Sequence, residues 1–395
     1  MVGHRCRALP GPAGYWMKDP PLRIGLNGIP LLSPLTGIGH YTSSLARAIG
    51  AESDIELTLF YGRHWSHEIR QAPIARIENW KRLVKALVPA PYTLMRAVQQ
   101  FPFATGARNL DLFHDPTGFP LAGAAATVST VHDLTWERFP EAHPPQRVRA
   151  FSRMFGRALS RSSHLICDSE FVRAELIERH GVAPEKVTAI PLAARATFSP
   201  LRQSTPPDLS GHGLFHRQYL LAVGTIEPRK NLDAVVRAHA ALPGDTRKRF
   251  PLVIVGMKGW LTSRLESLIE AGVRSGEIRV LGYVDDEELA RLYASARMLI
   301  YPSLYEGFGL PPLEAMASGT PVITSNVSSL PEVVGDAGIQ VDPYDVDALR
   351  EAIRLLSEDD GRWEALRSAG LARAAQFSWE RCARETLAVY RKVLA

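Results

Sequence analysis

The feature that most constrains this chain is an alternation that runs its course and then begins again. From about Leu22, short β-rich runs follow one another: RIGLNG (Arg23–Gly28), ELTLFYG, LFHD, ATVSTVHD, SHLICDS and KVTAIPL. Between them lie helix-like stretches such as Tyr41–Ile49, Gln146–Ser160 and Glu170–His180. Strands separated by helices of this length imply right-handed βαβ units and a parallel sheet. A Pro- and Ser-rich stretch, Phe198–Gly213, interrupts the pattern. The alternation then restarts with YLLAVG, PLVIVG, EIRVLGYV, MLIYPS, PVITS and GIQVD, with helices expected over Asn231–Ala241 and Asp286–Ala296. Asp285 at the head of the latter, with Glu288 three residues on, has the form of a capping box.

The predicted architecture is therefore α/β, two tandem Rossmann-like doubly wound domains facing a cleft. Residues 1–21 are expected to be a disordered extension, with Met17 as an alternative start. Residues 22–197 form the first domain, 198–216 a linker, 217–376 the second domain and 377–395 an amphipathic helix that belongs to neither sheet by order. Sheets of this kind bind ligands at the carboxyl ends of their strands, so the cleft between the two is the expected site.

The 395 residues are 46% hydrophobic and 22% charged, which excludes a disordered chain and a collagen. The three cysteines, Cys6, Cys167 and Cys382, are far apart and in no CxxC or His pairing, which fits a reducing compartment and argues against zinc. No run of eighteen apolar residues exists to span a membrane, and the first twenty residues hold no signal-peptide core. A cytoplasmic location follows as the expectation. The net charge of +5 is uneven: residues 1–200 hold 23 Lys and Arg against 16 Asp and Glu, residues 201–395 hold 23 against 25. The excess peaks in Gln71–Leu110, where Arg76, Lys81, Arg82, Lys85, Arg96 and Arg108 face Glu78 alone.

The most informative segment is YPSLYEGFGLPPLEAMASGTPVIT, Tyr301–Thr324. A strand enters a glycine-containing loop, and Pro311 and Pro312 open a helix near Gly309–Leu310, since proline suits a first turn. Exposed N–H groups there make an anion site. Glu306 and Glu314 flank it; a carboxylate beside a phosphate accepts hydrogen bonds from sugar hydroxyls, so the pair suggests a ligand with both groups. Read alone, a helix-cap Glu306 and a solvated Glu314 are equally good. GTIEPRKN tips the balance, because it puts Arg229 and Lys230 at the carboxyl end of the second domain's first strand, where two cations suit a diphosphate and its charge on departure. In the first domain TGIGHYT, with Gly37 and Gly39, is a weak phosphate-loop match and reads as well as a plain turn. VHDLTWERFP places His132 and Asp133 at a strand end; a histidine there is catalytic only if a second domain faces it.

Together these segments resemble the family 4 glycosyltransferases, of GT-B fold. EGFGLPPLE resembles that family's E-x7-E motif, and ICDSEFV, EKVTAIPL, LGYVDDEELARLYASA and SGTPVITSN follow in its usual order from about residue 22 to the end. The nearest flavour is bacterial polysaccharide and O-antigen mannosyltransferases. The resemblance implies a hexosyltransferase that retains anomeric configuration and requires no metal or other cofactor. Glu306 would hold donor-sugar hydroxyls, Glu314 the nucleotide ribose, and Arg229 and Lys230 the diphosphate, helped by backbone N–H groups of Phe308, Gly309 and Leu310. His132 would lie against the donor sugar, Gly37 and Gly39 beside the diphosphate, and Tyr283 and Val284 near the base. The terminal helix would cross back to the first domain. Two departures stand out: Thr225 replaces a frequent arginine, and Pro191-Leu-Ala-Ala-Arg195 replaces a frequent Pro-Asn-Gly-Val, which bears on hinge or cleft contacts.

The expected partners are a nucleotide sugar, GDP-mannose first with UDP-glucose and dTDP-rhamnose behind it, and a glycan or lipid-linked saccharide acceptor. A nucleotide-sugar epimerase is the rival on the same fold. A basic nucleic-acid-binding module is the rival from another class, and no helix-turn-helix, zinc-finger or RNA-binding signature supports it. Residues 80–103, WKRLVKALVPAPYTLMRAVQQFPF, mix cations with apolar side chains and suggest an anionic membrane surface, with peripheral attachment to the inner face of the membrane.

Overall fold

The computed structural model describes residues 20–33, 37–70, 91–201, 207–257, 259 and 263–395. Two sheets carry it. The first joins β1 (Leu22–Asn27), β2 (Ile55–Phe60), β3 (Trp65–Ser66), β4 (Leu112–Asp115), β5 (Thr127–Val131), β6 (His164–Cys167) and β7 (Val187–Ala189) in the order 3-2-1-4-5-6-7. All neighbours are parallel except the β2–β3 pair. The second joins β8 (Leu220–Val223), β9 (Leu252–Val255), β10 (Ile278–Gly282), β11 (Met298–Tyr301), β12 (Val322–Ser325) and β13 (Ile339–Val341) in the order 10-9-8-11-12-13, all parallel.

Both orders reverse beside their first strand, between β1 and β4 and between β8 and β11. Such reversals open a crevice at the strands' carboxyl ends. Helices cover both faces of a sheet of this kind, so its central strands lose the apolar–polar alternation of a half-exposed strand. LVIV of β9 and MLIY of β11 are buried throughout. In β4, LFHD, the run ends in two polar residues that are also buried, and each is held. His114 meets Tyr390 Oη and Thr130 Oγ1, and Asp115 accepts from Asn27 Nδ2 and the Thr117 amide.

Local signals place the helices. Ser169 caps Glu170–His180 by accepting from the Val172 amide, and Asp285 caps Asp286–Ser295 by accepting from the Glu288 amide. Only half of the capping box is present, because the Glu288 carboxylate turns to His212 and Arg291 instead of the cap. The opening helix spans Gly37–Ile49, four residues longer at its start than the expected Tyr41–Ile49. Gly37 and Gly39 therefore sit in a helical first turn and not in a loop.

The last helix, Trp379–Leu394, leaves the second sheet and lies on the first. Tyr390 Oη is 2.5 Å from His114 Nδ1, Arg391 pairs with Asp54 at 2.8 Å, and Lys392 Nζ donates to the Glu185 carbonyl. The connecting stretch is anchored as well: Phe198, Leu209 and Leu214 are buried in the same core as Tyr293 and Leu299. No helix among the described residues is long and apolar enough to cross a membrane. Of the basic segment 80–103, residues 80–90 lie outside the described residues. The remainder belongs to the helix Pro91–Ala107, which buries Phe103 while Met95, Val98 and Phe101 face outward.

Candidate active site

The carboxyl end of β11 runs through Pro302 to Gly309 and into the helix Leu310–Ala317. Gly309 caps that helix at φ +123°, where an L side chain is strained and a Cβ would come within 2.8 Å of Leu330. Beside it, the carboxyl end of β8 leads to Arg229 and Lys230 on a short turn. The reversed strand order brings the two loops together, and Glu306 lies between them. Its Oε1 accepts from Lys230 Nζ at 2.7 Å, Tyr301 Oη at 2.9 Å and Ser303 Oγ at 2.5 Å, and its Oε2 lies 2.9 Å from Arg229 Nη1. Arg229 also pairs with Glu227 and donates to the Tyr305 carbonyl.

All members of this cluster are largely buried, yet their charges respond differently. Burial opposes the Glu306 charge, but Arg229 and Lys230 outweigh it and hold the carboxyl at about 2. Burial also pushes the Lys230 ammonium below its ordinary value; Glu306 opposes this and Arg229 adds to it. The asymmetry is physical, since two cations support the Glu306 charge, whereas Lys230 shares Glu306 and Glu227 with the like-charged Arg229. Two carboxylates and two cations leave the cluster formally neutral, with its cations fixed at the switch point where a departing anion is best stabilised.

Glu314 sits one helix turn further in, nearly fully buried. Arg195, from the chain that leaves β7, reaches across to its Oε1 with Nε at 3.2 Å and Nη2 at 3.0 Å. Burial lifts the Glu314 carboxyl to about 7, with Arg195 opposing and Asp286 adding to the rise. The sequence places the two motif carboxylates alike; the structure gives them opposite surroundings.

The first sheet faces this loop with His132, just past β5. Nδ1 of His132 lies 2.7 Å from Asp168 and Nε2 lies 2.9 Å from the Pro116 carbonyl. Both ring nitrogens thus face oxygen atoms, an arrangement that favours the protonated ring. Burial disfavours that charge, and the Asp168 carboxylate more than compensates, raising the pKa. The second unit does face it: a Cβ on Gly307 would fall 1.8 Å from the His132 carbonyl oxygen, so only glycine permits this approach. Three further ties close the cleft. Ser169 Oγ donates to the Gly307 carbonyl, and the Glu332 carboxylate accepts from the amides of Glu170 and Phe171. Tyr305 Oη donates to Glu175 at 2.6 Å and accepts from the Leu134 amide at 3.0 Å.

A cavity of about 370 Å³ opens on the first unit's side of this contact. His132, Asp133, Asp115, Arg96, Arg147 and Trp136 are among its walls. Of the other sequence-predicted residues, Phe308 is buried against Phe377, and Thr225 follows β8 next to the Gly256 backbone. Leu310 is half-buried at the helix start, and Tyr283 is 63% exposed beside Val284 after β10. Sequence reasoning assigned no role to Tyr301, Ser303, Tyr305, Asp168 or Glu332. Asp168 lay within ICDSEFV, and Tyr301, Ser303 and Tyr305 lay within the Tyr301–Thr324 segment; Glu332 had no signal.

Comparison with known proteins gives the family and the fold. Residues 35–194 match the family model described as Glycosyltransferase Family 4, and residues 214–373 match Glycosyl transferases group 1. The chain is 38% identical over 374 residues to an O-antigen chain mannosyltransferase B of Escherichia coli, covering 92% of this chain and 97% of that one. Among solved structures it superposes on the sucrose-phosphate synthase of Thermosynechococcus elongatus with a TM-score of 0.70 at 22% identity, covering 94% and 99%. It superposes on Anabaena HepE, solved with UDP and glucose, with a TM-score of 0.64 at 18% identity, covering 93% and 98%. The fold is GT-B, and the chain belongs to the group 1, family 4 glycosyltransferases. It is a hexosyltransferase.

Proposed function

We propose that this glycosyltransferase moves mannose from GDP-mannose to a growing cell-surface polysaccharide, with retention of configuration and without a metal ion. The observation that carries the reading is the Arg229–Lys230–Glu306 cluster at the second sheet's switch point, pressed by Gly307 against His132 of the first. The name of the Escherichia coli relative supports mannose as the sugar and O-antigen as the class of product. Arg229 and Lys230 hold the diphosphate, Glu314 the ribose, and Glu306 the donor-sugar hydroxyls. The acceptor enters from the cavity beside His132 and Trp136.

In the proposed step the bond between the anomeric carbon and the phosphate oxygen breaks as an acceptor hydroxyl oxygen attacks from the same face. The departing phosphate oxygen takes the hydroxyl proton, and the two cations stabilise its charge. His132, with both nitrogens already engaged by Asp168 and Pro116, acts as a fixed wall and not as a base. Closure of the cleft keeps water from the anomeric carbon.

A panel of nucleotide sugars tests the reading, with product linkage followed by NMR in the presence of a mannan-type oligosaccharide. Turnover of GDP-mannose to GDP with an α-linked product is expected. Turnover confined to UDP-glucose or dTDP-rhamnose overturns the sugar, and an altered free sugar without acceptor overturns transfer in favour of epimerisation. Attachment to the inner face of the cell membrane through residues 80–103 belongs to the same reading. The exposed Met95, Val98 and Phe101 beside a cation-rich stretch support it. Flotation with anionic vesicles at low salt is the expected outcome, and failure to float removes it.

A further inference from the structure

The stretch Pro191-Leu-Ala-Ala-Arg195 occupies a mechanically fixed place. Leu192, Ala193 and Phe198 are buried, so the backbone on both sides of Arg195 is held. The guanidinium stacks 4.5 Å above the Phe198 ring and is only 16% exposed. Nη1 reaches Asp286 at 2.5 Å and lies 3.2 Å from His40 Nε2 of the opening helix. Both hydrogen bonds to Glu314 end on one oxygen, Oε1. A carboxylate has about four acceptor directions, so Oε2 keeps its own. Arg195 thus lies on the chain that leaves the first sheet after β7 but finds its anions in the second unit.

We infer that Arg195 is a positioning residue of the donor site, fixing Glu314 through Oε1 so that Oε2 meets the hydroxyls of the nucleotide ribose. The inference rests on the reading of Glu314 as the ribose ligand. The groups that face Glu314 are Arg195 from the chain after β7, Asp286 from the helix after β10, and Tyr293 from that same helix, with His40 behind Arg195. Arg195 is the single cation among them. It offsets burial and Asp286, and without it the carboxyl protonates at higher pH and one of its oxygens becomes a donor. Because Arg195 is carried by the connection between the two sheets, placing the ribose carboxylate also depends on how the two units are joined.

Calorimetric binding of GDP to the full chain, with UDP in parallel, between roughly pH 6 and 9, tests this. In the parent protein affinity is expected to fall as pH drops through about 7. Arg195→Gln is expected to weaken GDP binding by about tenfold at the alkaline end and to move the inflection upward by about one pH unit. Arg195→Lys, which keeps the charge and loses the fork, restores the inflection but not the full affinity. Binding by Arg195→Gln that is unchanged, or that weakens equally at every pH, overturns the inference. Glu314→Gln separates the two layers: it binds weakly and shows no inflection if the carboxylate holds ribose. If it binds like the parent, the ribose reading fails; if it binds weakly while Arg195→Gln matches the parent, only the role of Arg195 fails.

Discussion

Glu306 and Glu314 stand eight positions apart at the two ends of one motif and are buried to the same degree, yet one is held near 2 and the other near 7. The difference lies in what reaches them. Glu306 collects two cations, a serine and a tyrosine from loops of its own sheet. Glu314 lies inside a helix and receives one cation, carried across from the other unit. Among the ties to the first unit, two run in opposite senses: Tyr305 reaches out from beside Glu306 to Glu175, and Arg195 reaches in to Glu314. A shared motif therefore fixes position and leaves charge state to partners that sequence spacing does not specify.

The largest effect expected from this contrast is on stability at neutral pH. Glu306→Gln leaves the buried ammonium of Lys230 facing a neutral amide, and breaking a buried pair in this way costs about 3–5 kcal/mol. Glu314→Gln removes a carboxylate that burial already disfavours, while Arg195 keeps Asp286. Chemical denaturation is expected to show a much smaller loss for Glu314→Gln. Equal losses would dissolve the contrast.

The pH dependence sharpens it next, because the two groups act with opposite sign. A buried acid with a raised folded pKa binds more protons folded than unfolded. Its contribution is therefore best below the ordinary value of 4.5 and worsens as pH rises to about 7. For Glu314 that is at most about 3 kcal/mol. Glu306, lowered, contributes stability above 4.5 that is lost as pH falls towards about 2. Stability curves against pH are expected to lose their decline between 4.5 and 7 in Glu314→Gln, and part of their acid limb in Glu306→Gln. Curves parallel to the parent would remove the assigned charge states.

The same distinction between local and distant partners explains what the sequence could show. The parallel strands were legible because burial on both faces leaves continuous apolar runs, and Gly309 and the two prolines marked the helix start. β3 has only Trp65 and Ser66, too short to carry a period, and pairs antiparallel at an edge. TGIG reads as a turn because glycine is a poor helix former, and tertiary packing that buries Gly39, Tyr41 and Thr42 overrides the propensity. Glu306, Arg229 and Lys230 were found because each follows a strand end. The Arg195–Glu314 pair spans 119 positions and Tyr305–Glu175 spans 130, and neither leaves a local pattern.

Tyr305 offers the smallest and most discriminating test. Its ring lies between Phe139 and Phe171, with centroids at 6.0 and 5.7 Å, so Tyr305→Phe keeps the packing and removes only the hydroxyl. Glu175 retains Arg138 at 2.6 Å, while the Leu134 amide loses its acceptor; the cost is about 1–3 kcal/mol. Leu134 is two residues from His132, and the Tyr305 carbonyl accepts from Arg229 Nη1 at 2.7 Å. The hydroxyl therefore joins the chain that contacts Arg229 to the chain that lines the cavity beside His132. If cleft closure is what keeps water from the donor, loosening this tie raises donor hydrolysis relative to transfer severalfold, with donor KM little changed. Arg195→Gln acts on the other cluster and raises donor KM instead. Should both variants change the same kinetic constant, the two clusters are one mechanical unit, and their opposite charge states do not divide the labour of closing the cleft and holding the nucleotide.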